Sequence, residues 1–309
     1  MDHNLETSEN NLERIVLNPI IFLDLFDYPV TAFEVWHYLN KKQIFTDVID
    51  VLDRLVQKNI LSTKNGFYFL VGREAIIDTR LRRYNYTCAK IKKARLFSKL
   101  FSFFPFIKSI AVANSIGAYN LRQGSDIDFF IISSVNRIWL SRFISAGLAK
   151  ILGLRPTRKT KKDKICLSFY ITEANFDLKK LELSDGDPYF YYWLRGLRPI
   201  YDKDNTWQKF KAANRLLLEN NSNKLDNLKQ EEYLIINKKP KCNVFCRFLE
   251  NITKQIQLKI MAPPLRLAMN NSEGVVISDQ ILKLYLIDNR RQFAQKFNSK
   301  INEIFAKNN

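Results

Sequence analysis

Two aspartates separated by one residue, Asp126 and Asp128, open an apolar run that reads D-I-D-F-F-I-I-S. In an extended chain, side chains at i and i+2 point the same way, so the two carboxylates share one face while Ile127, Phe129 and Ile131 share the other. Like charges this close repel. A divalent cation that also holds phosphate oxygens turns the repulsion into a binding site, and Mg²⁺ characteristically takes one or two carboxylates plus phosphate. Upstream, the apolar run 109–113 stops at Asn114 and Ser115, and a short helix is expected next. At a turn into a helix, unpaired backbone N–H groups, the helix dipole and a hydroxyl together suit a phosphate. Gly124 and Ser125 form a second break just before the acids. A lone D-x-D is most often a polar turn into an edge strand; turn, helix and acidic strand in succession within 109–133 favour a metal and triphosphate site.

These residues need a scaffold, and the flanking pattern supplies one. Helical periodicity over 136–152, with Ile138, Trp139, Phe143, Ile144 and Leu148 on one side, is followed by a basic loop, 155–164, and a strand, 165–171. A helix at 188–195 and a strand at 198–202 complete a small mixed sheet with helices against it. Leading into it, 73–101 reads as a basic helix carrying Arg80, Arg82, Arg83, Lys90, Lys92, Lys93, Arg95 and Lys99. Its cations are expected to form a solvated outer face, with Ile91, Ala94 and Leu96 packed on the sheet.

Before that helix, residues 12–71 follow a winged-helix pattern: helices over 12–26, 31–39 and 46–58, then strands 60–64 and 67–71 around Asn65-Gly66, a strong hairpin signal. Thr31 and Glu34 form a capping box. A winged helix suggests DNA in contact with its third helix, but that helix carries Asp47, Asp50 and Asp53 against Arg54 and Lys58, which phosphates would repel. A structural or partner-docking role is expected instead. After residue 205 helices are expected at 207–219, 241–261 and 278–306, and the stripe Phe245, Phe248, Leu249, Ile252, Ile256 and Ile260 is read as core. The fold class expected is therefore α+β in three parts: a winged helix (1–72), a central mixed sheet with flanking helices (73–204) and a helical C-terminal domain (205–309).

The 309 residues are 46% hydrophobic and 13% aromatic, ample for buried cores. Lys and Arg outnumber Asp and Glu by 49 to 31, a net charge of +18. That charge suits nucleotides, nucleic acid or an anionic surface, and equally a lysine-rich background composition. Residues 1–11 are polar and acidic, unlike a signal peptide, and no apolar run reaches membrane-spanning length, so a cytoplasmic protein without a membrane span is expected. Cys88, Cys166, Cys242 and Cys246 are read as reduced packing residues.

Residues 114–128 resemble the signature of the DNA polymerase beta-like nucleotidyltransferase superfamily, in which Gly-Ser opens a short helix and a D-x-D strand follows. The run Gly124-Ser125-Asp126-Ile127-Asp128 carries the likeness, and Asn114 stands where the signature has glycine, a substitution that a left-handed turn tolerates. The resemblance implies that Asn114, Ser115, Gly124 and Ser125 bind the nucleotide, and that Asp126 and Asp128 are catalytic through Mg²⁺ or Mn²⁺. It implies transfer of a nucleoside monophosphate from an NTP to a hydroxyl acceptor of unknown identity. Such enzymes usually add a third carboxylate from a later strand. Here 165–171 offers Cys166, Ser168 and Tyr170, none acidic, while Asp163, Glu173 and Asp177 lie outside the strand. Two alternatives stay open: a catalytically reduced module of the same fold that binds NTP or a partner, and a winged-helix DNA-binding regulator.

Overall fold

The structure, a computed structural model, describes residues 2–39, 41–114, 119–157, 159–218, 234–236 and 244–306, the backbone alone at 2–10, 234–236 and 244–246. It is a mixed α+β molecule. The N-terminal part holds α1 (Asp2–Asp24), α2 (Ala32–Tyr38), α3 (Phe45–Gln57) and a hairpin of β1 (Leu61–Lys64) and β2 (Phe67–Leu70). Asn65 and Gly66 both have positive φ, 54° and 76°, the conformation that a two-residue hairpin loop requires. Thr31 caps α2, accepting from the Glu34 N–H at 3.2 Å while Glu34 accepts from the Thr31 N–H at 2.9 Å.

The long helix α4 (Ile76–Ser102) leads to the central strands β3 (Ile107–Val112) and β4 (Ile127–Ser133), then α5 (Ile138–Ile151), β5 (Ile165–Thr172), α6 (Pro188–Arg195) and β6 (Arg198–Lys203). Next come α7 (Thr206–Ala213), α8 (Arg215–Leu218), β7 (Leu234–Ile236), α9 (Val244–Ile260), α10 (Pro263–Leu267), β8 (Val275–Ile277), β9 (Ile281–Leu284) and α11 (Arg290–Ala306). Among the described residues one large sheet runs β7-β6-β3-β4-β5-β9-β8. β4 pairs antiparallel with β3 and parallel with β5. The acidic strand is thus central, covered on both faces, and reads as a continuous apolar run after Asp128.

One face of the sheet, with Ile127, Phe129, Ile131, Ile165 and Tyr170, packs under Ile91, Ala94, Ile138 and Trp139 of α4 and α5. The other, with Phe130, Ile132, Phe169 and Ile171, packs on Phe190 and Leu194 of α6 and on Trp207 and Phe210 of α7. Asp128 has the parity of Phe130 and Ile132, so it belongs to the α6 face.

Three expectations are corrected here. The helix expected over 278–306 begins only at Arg290, because Ile281–Leu284 extends the sheet beside β5. The apolar residues of that stretch obey a period of two before they obey one of 3.6. Most of the stripe on α9 is not core: Phe248 is 62% exposed, Ile252 37%, Ile256 40% and Ile260 72%, while Leu249 packs against the core and the Phe245 side chain lies outside the described residues. The buried side of that helix is polar, with Glu250 accepting from the Trp139 and Leu140 N–H groups at 2.9 Å and Gln257 donating to the Trp139 carbonyl at 2.7 Å. Glu250 thereby satisfies N–H groups that the start of α5 leaves without intrahelical partners. On α4, Leu96 is exposed, while several cations serve structure: Arg80 clamps Glu34 at 2.7 Å, and Arg83 holds the Phe26 carbonyl at 2.6 Å and Asp27 at 3.1 Å.

Candidate active site

β3 ends at Val112, and two residues later Asn114 takes φ 57°, a left-handed turn. Asparagine adopts this region more readily than other residues with a side chain, so it fills the place of a turn glycine at small backbone cost. Asn114 also does what glycine cannot: its side chain hydrogen-bonds the Asp128 carboxylate and Tyr285. The backbone fixes the relation of the two strands here, with the Ala113 N–H donating to the Asp128 carbonyl at 3.0 Å. Ser115, expected at the triphosphate, lies outside the described residues, as does most of the short helix expected after it.

Asp126 stands just before β4, and Asp128 is its second residue. The flanking backbone is tied to the loop before β5: the Ile127 N–H donates to the Lys164 carbonyl at 2.7 Å, and the Asp163 N–H to the Ser125 carbonyl at 3.2 Å. Gly124 lies in the turn that precedes them, closed by the Ser125 N–H on the Arg122 carbonyl at 3.1 Å. Ligand atoms of Asp126, Asp128 and Cys166 all come within 4.8 Å of one another, the one such group of three potential metal ligands among the described residues. Burial, and next the charge of Asp126, push the Asp128 carboxyl up to about 6, against hydrogen bonds from Asn114 and Cys166 that favour the ionised form. Burial and the Asp128 charge raise the Cys166 thiol well above its ordinary value, so without metal it stays protonated.

Cys166 is the residue that β5 places opposite Asp128 in the parallel register. From there a bulge intervenes, because Phe130 pairs with Phe169, three residues on from Cys166 but only two on from Asp128. The bulge changes parity, so Tyr170 turns to the α5 face, bonding Ser145 at 2.8 Å, and leaves the acidic side. Strict alternation predicts Cys166, Ser168 and Tyr170 together; the structure keeps only Cys166 and Ser168 in contact, at 2.9 Å.

The acids outside the strand do not supply a third ligand. Asp163 is engaged by Lys90 at 3.3 Å and Lys93 at 2.7 Å, which hold its carboxyl below the usual range despite partial burial. The Glu173 N–H bonds the Ser133 carbonyl, at the end of β4 remote from Asp128. Lys90 instead emerges as a site residue that a solvated basic helix did not anticipate: it is almost fully buried, donates to the Ser125 carbonyl and feels the charge of Asp126. The signal for it was its place among Ile91, Ala94 and Thr87, on the side of α4 that faces the sheet.

Beside Asn114 lies a cavity of about 160 Å³ lined by Phe169, Phe190 and Trp193 on one side and by Tyr285, Ile287 and Phe293 on another. Tyr189 also lines it. Burial, and next Asp128 and Asp288, push that phenol up to about 12, so its ring stands in the field of both carboxylates. Asp288, Lys283 and Arg290 close the cavity. None of this was legible locally, because β9 and the start of α11 reach the site only through the pairing of β9 with β5.

As metal ligands, Asp126 and Asp128 offer hard oxygens that fit Mg²⁺ or Mn²⁺, and the unneutralised repulsion in the pair is what a cation would relieve. Cys166 adds a softer donor that Mn²⁺ tolerates better than Mg²⁺. Among the described residues no helix is long and apolar enough to cross a membrane. Comparisons with protein-family models, curated proteins and solved structures find no match to this chain.

Proposed function

We propose that this chain is a metal-dependent nucleotidyltransferase that moves a nucleoside monophosphate from an NTP to a hydroxyl acceptor. The observation that carries the reading is the close approach of Asp126 and Asp128 at the head of a central strand, beside a left-handed Asn114 that closes the neighbouring strand and bonds Asp128. Asp126 and Asp128 would hold Mg²⁺ or Mn²⁺; when bound, that ion neutralises charge on the transferring phosphoryl group and its leaving pyrophosphate. The chain's own part is positioning. Asn114 orients one carboxylate, and Lys90 with Asp163 fixes the Ser125 loop that carries the other. Gly124, Ser125 and, by resemblance, Ser115 would flank the triphosphate. The N-terminal helices and hairpin, a winged helix in this reading, serve as a docking or structural part.

The test is transfer of label from [α-³²P]NTP to a panel of hydroxyl acceptors in Mg²⁺ or Mn²⁺. Label moved by the wild type and not by Asp126→Ala or Asp128→Ala supports the reading, and equal transfer by all three rejects it. A second reading, a catalytically reduced module that binds Mg-NTP without turnover, is favoured by one observation: Cys166 is the residue opposite Asp128, where a third carboxylate would serve. Tight Mg-NTP binding with no transfer to any acceptor would select it.

A further inference from the structure

The cavity beside Asn114 has a wall chemistry that nucleotide transfer alone does not use. At about 160 Å³ it matches the size of a cavity of about 150 Å³ that accepts one benzene ring, and is too small for a nucleotide. Flat faces surround it. Phe169 and Trp193 stack with centroids 5.4 Å apart and 17° between planes, and Tyr189 and Phe293 with 5.3 Å and 23°. Such walls favour an aromatic ring in offset or edge contact.

Its charges are already matched. Arg290 donates to Asp187 at 2.6 Å, to the Leu181 carbonyl at 2.7 Å and to Asp288 at 2.9 Å; Lys283 donates to the Glu273 carbonyl at 2.6 Å and to Asp288 at 3.1 Å. Two lining cations thus meet Asp288 in the wall and the buried Asp187 behind it, and an ionic ligand entering this space would be desolvated without an uncommitted partner. Asn114 lines the cavity and also bonds Asp128, so the cavity adjoins the acidic pair.

We propose that this cavity is the acceptor subsite, and that the acceptor is a small, uncharged, single-ring compound carrying a hydroxyl. Its role as acceptor rests on the nucleotidyltransferase reading; its capacity to hold a ring does not. In the transfer, the acceptor oxygen bonds to the α-phosphorus of the NTP as the bond from that phosphorus to the bridging oxygen breaks. Pyrophosphate leaves with that electron pair, and the hydroxyl proton passes to solvent water. A polyanionic acceptor such as nucleic acid is excluded from this subsite by the same charge balance.

Calorimetric titration of the full chain with 4-hydroxybenzamide and with 4-hydroxybenzoate, near-isosteric probes differing in charge, tests this without nucleotide or metal. The amide is expected to bind at one site per chain, at least about tenfold more tightly than the anion. Ile287→Trp, at a rim position 77% exposed, is expected to fill the mouth and weaken the amide by at least about tenfold while leaving the melting temperature unchanged. Binding of the anion as tight as that of the amide, no binding of either, or no effect of Ile287→Trp overturns the proposal. Because neither metal nor NTP is present, such a failure leaves the roles of Asp126 and Asp128 standing, whereas failure of label transfer leaves the ring site standing.

Discussion

Two carboxylates near one cavity, Asp288 in its lining and Asp128 behind Asn114, are held in opposite ways. Asp128 lies against Asp126, with its carboxyl pushed up to about 6 by burial and by that neighbour. Asp288 lies between Lys283 and Arg290, and hydrogen bonds and charge from these outweigh its burial and hold it down at about 2. Both are partly buried aspartates on the same α6 side of the sheet. The fold thus consumes Asp288 and leaves Asp128 open. A carboxylate with two cationic partners is structural; a pair of carboxylates helped by an amide, a thiol and one lysine already shared with Asp163 stands ready for a cation from solution.

Deleting each acid in turn is expected to separate the two roles most strongly. Asp126→Ala or Asp128→Ala is expected to lower nucleotide transfer by at least about 10³-fold, with thermal stability unchanged or raised, because a buried repulsion is removed. Transfer assays beside thermal melts check both halves, and a large fall in melting temperature would make Asp128 structural after all. Asp288→Ala is expected to act in reverse, costing about 3 kcal/mol in urea unfolding by stranding Lys283 and Arg290 beside a single acid, Asp187. Stability within about 0.5 kcal/mol of wild type would show that the cluster is not a fastening.

Acid titration sharpens the contrast by sign. The depressed Asp288 contributes stability above its unfolded value near 4, and that contribution, about 2 kcal/mol, is lost as pH falls towards 2. The raised Asp128 works the other way: its protonated form favours the fold below about pH 4, and this benefit is lost as pH rises through 6. Urea unfolding from pH 3 to 8 should therefore show a drop between pH 4 and 6 that Asp128→Asn abolishes and saturating Mg²⁺ opposes; a profile identical in the variant contradicts the assignment. The smallest effect concerns the third position. Cys166→Asp is expected to tighten Mg²⁺ binding about tenfold and to reduce any preference for Mn²⁺, by placing hard oxygen where sulfur stands. Metal titrations of both proteins decide it.

Much of the scaffold was legible because its signals are local. Asn65-Gly66 marks a hairpin, the Thr31–Glu34 capping box starts α2, and Pro188–Arg195 is helical as its pattern predicts, with Asp187 capping it through the Phe190 N–H at 2.8 Å. At the site, the left-handed turn at Asn114 and the paired direction of Asp126 and Asp128 follow from the same kind of evidence. What stayed hidden is long-range. The bulge after Cys166 that turns Tyr170 away, the approach of Lys90 from α4, and the arrival of Tyr285 and Asp288 beside Asn114 all depend on strand register and helix docking. The misread stripe on α9 has the same origin: periodicity finds an apolar face, but Glu250 and Gln257, which satisfy backbone groups of α5, decide which face turns inward.

The most direct test of the central claim is Mn²⁺ binding, followed by the loss of the free-ion electron paramagnetic resonance signal, in wild type and in the Asp126→Asn/Asp128→Asn double variant. The reading predicts one Mn²⁺ site in the wild type that the double variant loses and that Mg²⁺ displaces. Equal binding by the two proteins would contradict it.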